Sequence, residues 1–147
     1  FSFDMGCVRL SEKFLRSDPA TASQIQELRA FVAKELDQQQ GILARVKGKT
    51  LVGVAGTATY LAAAALGLSS FDPEKVDGAE VSLQQVRELI ARFAPLTAAE
   101  RLGMGGMDKG RADVILAGAY ILEEILVRTG VPGFRASVRG LRYGLVL

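Results

Sequence analysis

Apolar residues recur at helical spacing in several parts of the chain. One such stripe consists of Ile25, Leu28, Val32 and Leu36. Residues three or four apart lie on the same face of an α-helix, so this spacing predicts a helix with one buried side. Asp18 followed by Pro19 predicts its start, because aspartate caps helix N termini and proline is favoured in the first helical turn.

Two capping boxes and one stop signal predict further helices. Ser82 with Gln85 predicts a helix from residue 83 to about 93, and Thr97 with Glu100 opens a short one. The longest helix is predicted over residues 111–128, with Gly130 as its stop.

Short apolar runs rich in β-branched and aromatic residues predict strands over residues 1–10, 50–54 and 134–138. Strands that alternate with helices indicate the α/β class. Three strands make a thin sheet for the number of predicted helices. We therefore expect a sheet truncated on its N-terminal side, in a chain that is one piece of a longer protein.

Residues 51–68 carry no charge and are long enough to ask whether they cross a membrane. Their content argues against a membrane span, because glycine and threonine fill the first half and alanine fills most of the second. A buried strand at residues 50–54, a glycine turn and a helix from residue 57 to 68 fit better.

Composition restricts the chemistry more than the charge does. The chain has 147 residues, a formal net charge of +2, one cysteine (Cys7) and no histidine. These counts exclude an internal disulfide, a thiolate zinc cluster and histidine-based nucleophile pairs. The small net charge gives no reason to expect a nucleic acid partner. No signal-peptide pattern opens the sequence, and we expect a cytoplasmic protein without a membrane segment.

The stretch Gly53 to Thr57, which reads GVAGT, is the strongest candidate site. Backbone N–H groups at a helix N terminus and the helix dipole favour a bound phosphate. Gly53, Ala55 and Gly56 would then supply the turn, and Thr57 would cap the helix and donate its hydroxyl. The same pattern is also typical of a tight turn in which glycine only permits close packing.

Arginines near the C terminus form a second candidate. Arg139 and Arg142 flank a glycine turn after the last strand, where they would hold a polyanion or a nucleotide, or else pair with carboxylates. Arg111 is interpreted as structural. The adjacent Glu123 and Glu124 are interpreted as part of a solvated helix face.

Several segments, taken in order, resemble the exopolyphosphatase and guanosine pentaphosphate phosphohydrolase family. They are SFDMGCVRLSEKFL, LVGVAGTATYLAAAALGL, FDPEKVDG, GRADVILAGAYIL and SVRGLRYGLVL. The resemblance implies a ribonuclease-H-like lobe of the actin and Hsp70 type, and it maps residues 1–147 onto the later part of a second lobe. It also implies polyphosphate or guanosine pentaphosphate as the substrate and Mg²⁺ bound together with that substrate.

The family's catalytic glutamate and first phosphate loop are expected upstream of this chain, so the resemblance implies no catalytic residue and no metal ligand here. We therefore expect the chain alone to be inactive. A non-catalytic sensor that binds a nucleotide or polyphosphate is the alternative, and half of a Rossmann-type dehydrogenase fits less well. We also expect a homo-oligomer, because a truncated sheet exposes an edge, placed by the strand prediction at residues 1–10.

Overall fold

The computed structural model describes residues 2–145 and shows an α/β arrangement of one small sheet and many helices. The first half contains α1 Cys7–Phe14, α2 Ala22–Asp37, α3 Gln40–Ala44, β1 Leu51–Val54, α4 Ala55–Ala65 and α5 Pro73–Val76. The second half contains β2 Glu80–Ser82, α6 Leu83–Phe93, α7 Ala98–Arg101, a 3₁₀ turn Met104–Gly106, α8 Lys109–Ala112, α9 Ile115–Thr129, β3 Gly133–Ser137 and α10 Leu141–Gly144. The predicted α/β class is confirmed.

The sheet has the order β1-β3-β2, with β1 parallel and β2 antiparallel to β3. Phe134 and Ala136 of β3 turn inward and are buried, as is Val81 of β2. Val52 and Val54 of β1 are 53% and 45% exposed on the other face. The sheet therefore buries one face against the helices and leaves its other face open.

Helix α9 lies at the centre of the core and contacts α1, α2 and α6. It is buried on most sides, which its apolar sequence and small residues such as Ala117 and Ala119 permit. The predicted stripe on α2 is confirmed, because Leu28, Val32 and Leu36 are fully buried. The long helix predicted over 111–128 is divided into α8 and α9 by residues 113 and 114.

The predicted strand–turn–helix over the uncharged run is confirmed by β1 and α4. No helix within residues 2–145 is long and apolar enough to span a membrane. The cytoplasmic location stays a prediction.

Both predicted capping boxes are present, at Ser82 and at Thr97. The predicted start of α2 at Pro19 is wrong, because Thr21 caps that helix through its own box with Gln24. Asp18 has a different role: its carboxylate oxygens accept hydrogen bonds from the Ala98 N–H at 3.0 and 3.1 Å, so it caps α7, far along the chain.

The strand predicted over residues 1–10 is wrong. Cys7–Phe14 is a helix, residues 2–6 belong to no strand, and Phe1 lies outside the described residues. The alternation of apolar and polar residues is confined to the first five positions, whereas Leu10 and Phe14 follow helical spacing and pack on the core. The exposed edge expected there is absent, and the expected homo-oligomer stays a prediction. Among the described strands, β1 has hydrogen bonds to a neighbour on one side only.

Glu123 and Glu124 do not form a solvated face, so that interpretation is wrong. They are 5% and 8% exposed, and each lies 3.5 Å from the guanidinium of Arg29. Arg87 Nε donates to Glu123 at 3.0 Å, and Arg128 pairs with Glu124. Buried carboxylates need such partners, and here arginines from three helices supply them.

We predict that Gly53→Ala destabilises the fold, because a Cβ at this position would lie 2.6 Å from the Ala58 Cβ and 3.0 Å from the Phe134 ring. Overpacking of this kind costs about 1–3 kcal/mol. Urea unfolding followed by circular dichroism measures the loss. The control is Gly41→Ala in α3, where a Cβ meets nothing within 4 Å. Equal stability of the two variants would contradict close packing of α4 on β1.

Candidate functional site

Two chain turns meet at one edge of the sheet. The parallel register pairs Val54, the last residue of β1, with Ser137, the last residue of β3. The chain then enters α4 after β1 and the 138–140 turn after β3. In open α/β sheets, ligands bind outside the carboxyl ends of parallel strands, and both predicted candidate sites lie at this edge.

The first turn is unusually sharp. Ala55 has a φ of 64°, a left-handed conformation that residues other than glycine rarely adopt, and α4 begins at this residue. No side chain caps α4. The first N–H groups of a helix have no partner within the helix, and the helix dipole adds partial positive charge there. The turn therefore offers backbone donors to an anion.

The predicted turn residues have separate roles. Gly53 permits packing, since a side chain there would collide with Ala58. Thr57 lies inside α4 and does not cap it. Its side chain packs against Gly118 of α9, where a Cβ would lie only 2.6 Å from the Thr57 Oγ1. The expectation that Thr57 caps the helix is therefore wrong, whereas Gly53 shows the close packing that the alternative describes.

Gly56 provides space for a cation. A Cβ on Gly56 would overlap the guanidinium of Arg111, so this close approach requires glycine. The Arg111 Cζ also lies 5.7 Å from the centre of the Tyr60 ring. Arg111 Nε is buried without a hydrogen-bond partner, and no carboxylate of residues 2–145 forms an ion pair with this side chain. A guanidinium with no ion-pair partner among the described residues thus lies against the first turn of α4.

Arg101 fixes the segment that carries Arg111. Its guanidinium donates to three carbonyl oxygens, those of Ala112 at 3.1 Å, Phe93 at 3.0 Å and Leu96 at 2.7 Å. Burial lowers the pKa of Arg101, and the nearby carboxylates of Asp18 and Asp113 oppose this shift. Ala112 is the residue after Arg111. The hydrogen bond to its carbonyl therefore fixes the backbone next to Arg111.

The second turn is held by Asp77. Its Oδ1 accepts hydrogen bonds from the Val138 N–H at 3.0 Å and the Ser137 hydroxyl at 3.1 Å. Its Oδ2 lies 3.7 Å from the Nε of Arg139. Of the two alternatives for Arg139, the structure shows the carboxylate pair, although 71% of the side chain remains exposed.

Arg142 lies in α10, after this turn, and is exposed. Its side chain forms no ion pair with any residue of the described range. The edge of the sheet thus has free N–H groups at α4 with Arg111 beside them, Arg139 on the neighbouring turn, and Arg142 in α10 just after that turn.

Sequence reasoning missed Arg111 and Asp77 as site residues. The sequence indicates a structural role for Arg111, because it shows only that this residue lies near a helix start. The contact between Arg111 and Gly56 joins residues far apart in the chain, so only the fold reveals it. Asp77 stands just before Gly78, in a stretch that predicts a turn and no chemistry.

The described residues contain no group of three or more histidine, cysteine, aspartate or glutamate side chains that could hold a metal ion. Mg²⁺ needs several oxygen ligands and usually keeps waters while bridging to substrate phosphates. The arginines and backbone N–H groups at this edge share the chemistry of anion binding.

Comparison with known proteins identifies relatives along the whole chain. The model of the Ppx/GppA phosphatase family matches residues 1–147. Exopolyphosphatase 2 of Mycobacterium tuberculosis is 32% identical over 151 aligned residues, which include all of this chain and 47% of that protein. Exopolyphosphatase 1 of Mycobacterium leprae is 26% identical and is matched over 43% of its length. The chain thus spans a little under half the length of these relatives.

Solved structures give the same result. An exopolyphosphatase-like protein matches with a TM-score of 0.90 and 34% identity, over 99% of this chain and 48% of its own. A Ppx/GppA phosphatase of Aquifex aeolicus matches with a TM-score of 0.86 and 32% identity, over 99% of this chain and 47% of its own. These proteins have an actin-like fold. The resemblance seen in the sequence is confirmed: the chain belongs to the Ppx/GppA phosphatase family.

Proposed function

We propose that this chain supplies the phosphate-binding half of a site that hydrolyses the terminal phosphoanhydride of polyphosphate or guanosine pentaphosphate. The observation that carries the proposal is the position of the Arg111 guanidinium. It has no ion-pair partner among the described residues and packs against Gly56 at the uncapped start of α4. Family membership and the names of the exopolyphosphatase relatives support the choice of substrate class.

Phosphate suits this geometry for physical reasons. Helix N termini bind phosphate through backbone N–H groups and the helix dipole. A guanidinium presents planar donors that match phosphate oxygens, and hydrogen bonds between charged groups are stronger than neutral ones. A polyphosphate chain carries several negative charges in a row. One end would lie on the turn at Ala55 and Gly56, while the neighbouring turn with Arg139 and Arg142 would hold another phosphate.

In this proposal the chain binds and orients its substrate and does not activate water. Backbone donors and Arg111 stabilise the charge on the phosphates, which is the main contribution a protein makes to phosphoryl transfer. Mg²⁺ bound together with the polyphosphate would neutralise part of the phosphate charge, while Arg111 and the backbone N–H groups of α4 would hold the phosphates themselves. The water-activating glutamate, implied by the resemblance alone, belongs to the part of the relatives' length that this chain does not cover. The proposed second-lobe identity of residues 1–147 rests on the same resemblance.

We predict that Gly56→Ala weakens binding of tripolyphosphate by about ten-fold, the effect of losing one charged hydrogen bond of about 1.5 kcal/mol. The new Cβ displaces the flexible end of Arg111, and alanine favours the helix, so thermal stability should not fall. Isothermal titration calorimetry in low salt measures the affinity, and Arg111→Gln should reproduce the loss.

The matched control for these variants is Arg92→Gln, which removes an equal charge from the exposed surface of α6, where Arg92 forms no ion pair among the described residues. Unchanged affinity in Gly56→Ala and Arg111→Gln would contradict the proposed site. An equal loss in Arg92→Gln would show that net charge alone attracts the anion.

We also predict that the 147-residue chain alone releases no phosphate from polyphosphate, whereas a protein extended to the length of its relatives does so in the presence of Mg²⁺. A malachite green assay measures the phosphate. Addition of Arg111→Gln to the extended protein should lower kcat/KM by about ten-fold, the kinetic equivalent of the same loss of about 1.5 kcal/mol. Robust release by the chain alone would overturn the assignment of the catalytic glutamate to the uncovered half.

Binding without hydrolysis in the extended protein would favour the second candidate, a sensor module that recognises polyphosphate or guanosine pentaphosphate without turning it over. One observation supports this candidate: the Arg111 guanidinium forms no ion pair with any described carboxylate, so an anion could neutralise it without being hydrolysed.

A further inference from the structure

Asp77 contacts both the backbone of the second turn and the guanidinium of Arg139. One carboxylate oxygen accepts from Val138 N–H and Ser137 Oγ, and the other lies 3.7 Å from Arg139 Nε. The backbone N–H of Arg139 donates in turn to Ser137 Oγ at 3.1 Å. Asp77 therefore fixes the position of Arg139 in two ways. It contacts the guanidinium directly, and it accepts a hydrogen bond from the Ser137 hydroxyl, which in turn accepts one from the Arg139 N–H.

We propose that Asp77 is a positioning residue that competes with bound phosphate for Arg139 and so sets the affinity of this edge for polyanions. This inference rests on the proposed function. In the free protein the carboxylate neutralises Arg139 and keeps it beside the turn. A phosphate chain that reaches the turn must replace the carboxylate as the partner of the guanidinium, and each added negative charge on the ligand favours the exchange.

The exposure of the pair makes such an exchange possible. The Arg139 side chain is 71% exposed and the Asp77 side chain is 32% exposed. Solvent-exposed ion pairs of this kind contribute little to stability, so a ligand with several charges can displace one.

The turn keeps its place by contacts that do not need the charge of Asp77. The Gly78 N–H donates to the Ala136 carbonyl at 2.8 Å, and the Ala136 N–H donates to the Ala79 carbonyl at 2.8 Å. An asparagine at position 77 retains one oxygen that can accept from Ser137 and Val138. Asp77→Asn therefore removes the ion pair while retaining the hydrogen bonds that shape the turn.

The test is a double-mutant cycle on tripolyphosphate binding, measured by calorimetry with wild type, Asp77→Asn, Arg139→Gln and the double variant. Asp77→Asn should bind about 1.4- to five-fold tighter, the range given by an exposed ion pair. Arg139→Gln should bind more weakly, and Asp77→Asn should have no effect in the Arg139→Gln background. The gain should vanish in about 1 M salt, where the Debye length is about 3 Å.

Ser137→Ala is the matched control, because it loosens the same turn without changing any charge, and it should not tighten binding. A second measurement needs no variant: the Arg139 Nε–H resonance should shift when tripolyphosphate saturates the wild-type chain. An unmoved resonance, weaker or unchanged binding by Asp77→Asn, or a gain that persists without Arg139 would overturn the inference and leave the proposed function standing. Absence of any tripolyphosphate binding by wild type would overturn the proposed function itself.

Discussion

The parallel pairing of β1 with β3 is the constraint on which the site depends. Because Val54 lies beside Ser137, both strands end together, and the turns that follow them open onto the same edge. Phe134 and Ala136 anchor this pairing from the buried face of the sheet. A shift of one residue would turn these side chains outward, so burial of the core fixes the register and the register brings the two turns together.

Local signals predicted much of the fold. The capping boxes at Ser82 and Thr97, the stop at Gly130 and the stripe on α2 each depend on residues within a few positions of one another, and the structure confirms them. The strand–turn–helix at β1 and α4 belongs to the same group. The strand predicted at the N terminus failed because a short alternation was extended past its last alternating residue into a segment with helical spacing.

The parts that sequence reasoning missed are interactions between distant residues. Arg111 lies on Gly56, Asp18 caps α7, and Arg29 reaches Glu123 on another helix. The partners in each pair lie far apart in the chain, and no regular sequence spacing indicates that they are in contact. The fold alone brings them together. The site was therefore predicted as backbone turns and flanking arginines, while its central cation and the carboxylate that restrains Arg139 required coordinates.

We expect the two turns to bind one polyanion together. Amide chemical shifts of the ¹⁵N-labelled chain, recorded while tripolyphosphate is added, test this expectation. The amides of Ala55, Gly56 and Thr57 and those of Val138 and Arg139 should shift along one shared binding curve. Shifts at only one turn, separate curves for the two turns, or shifts confined to other surfaces would contradict it.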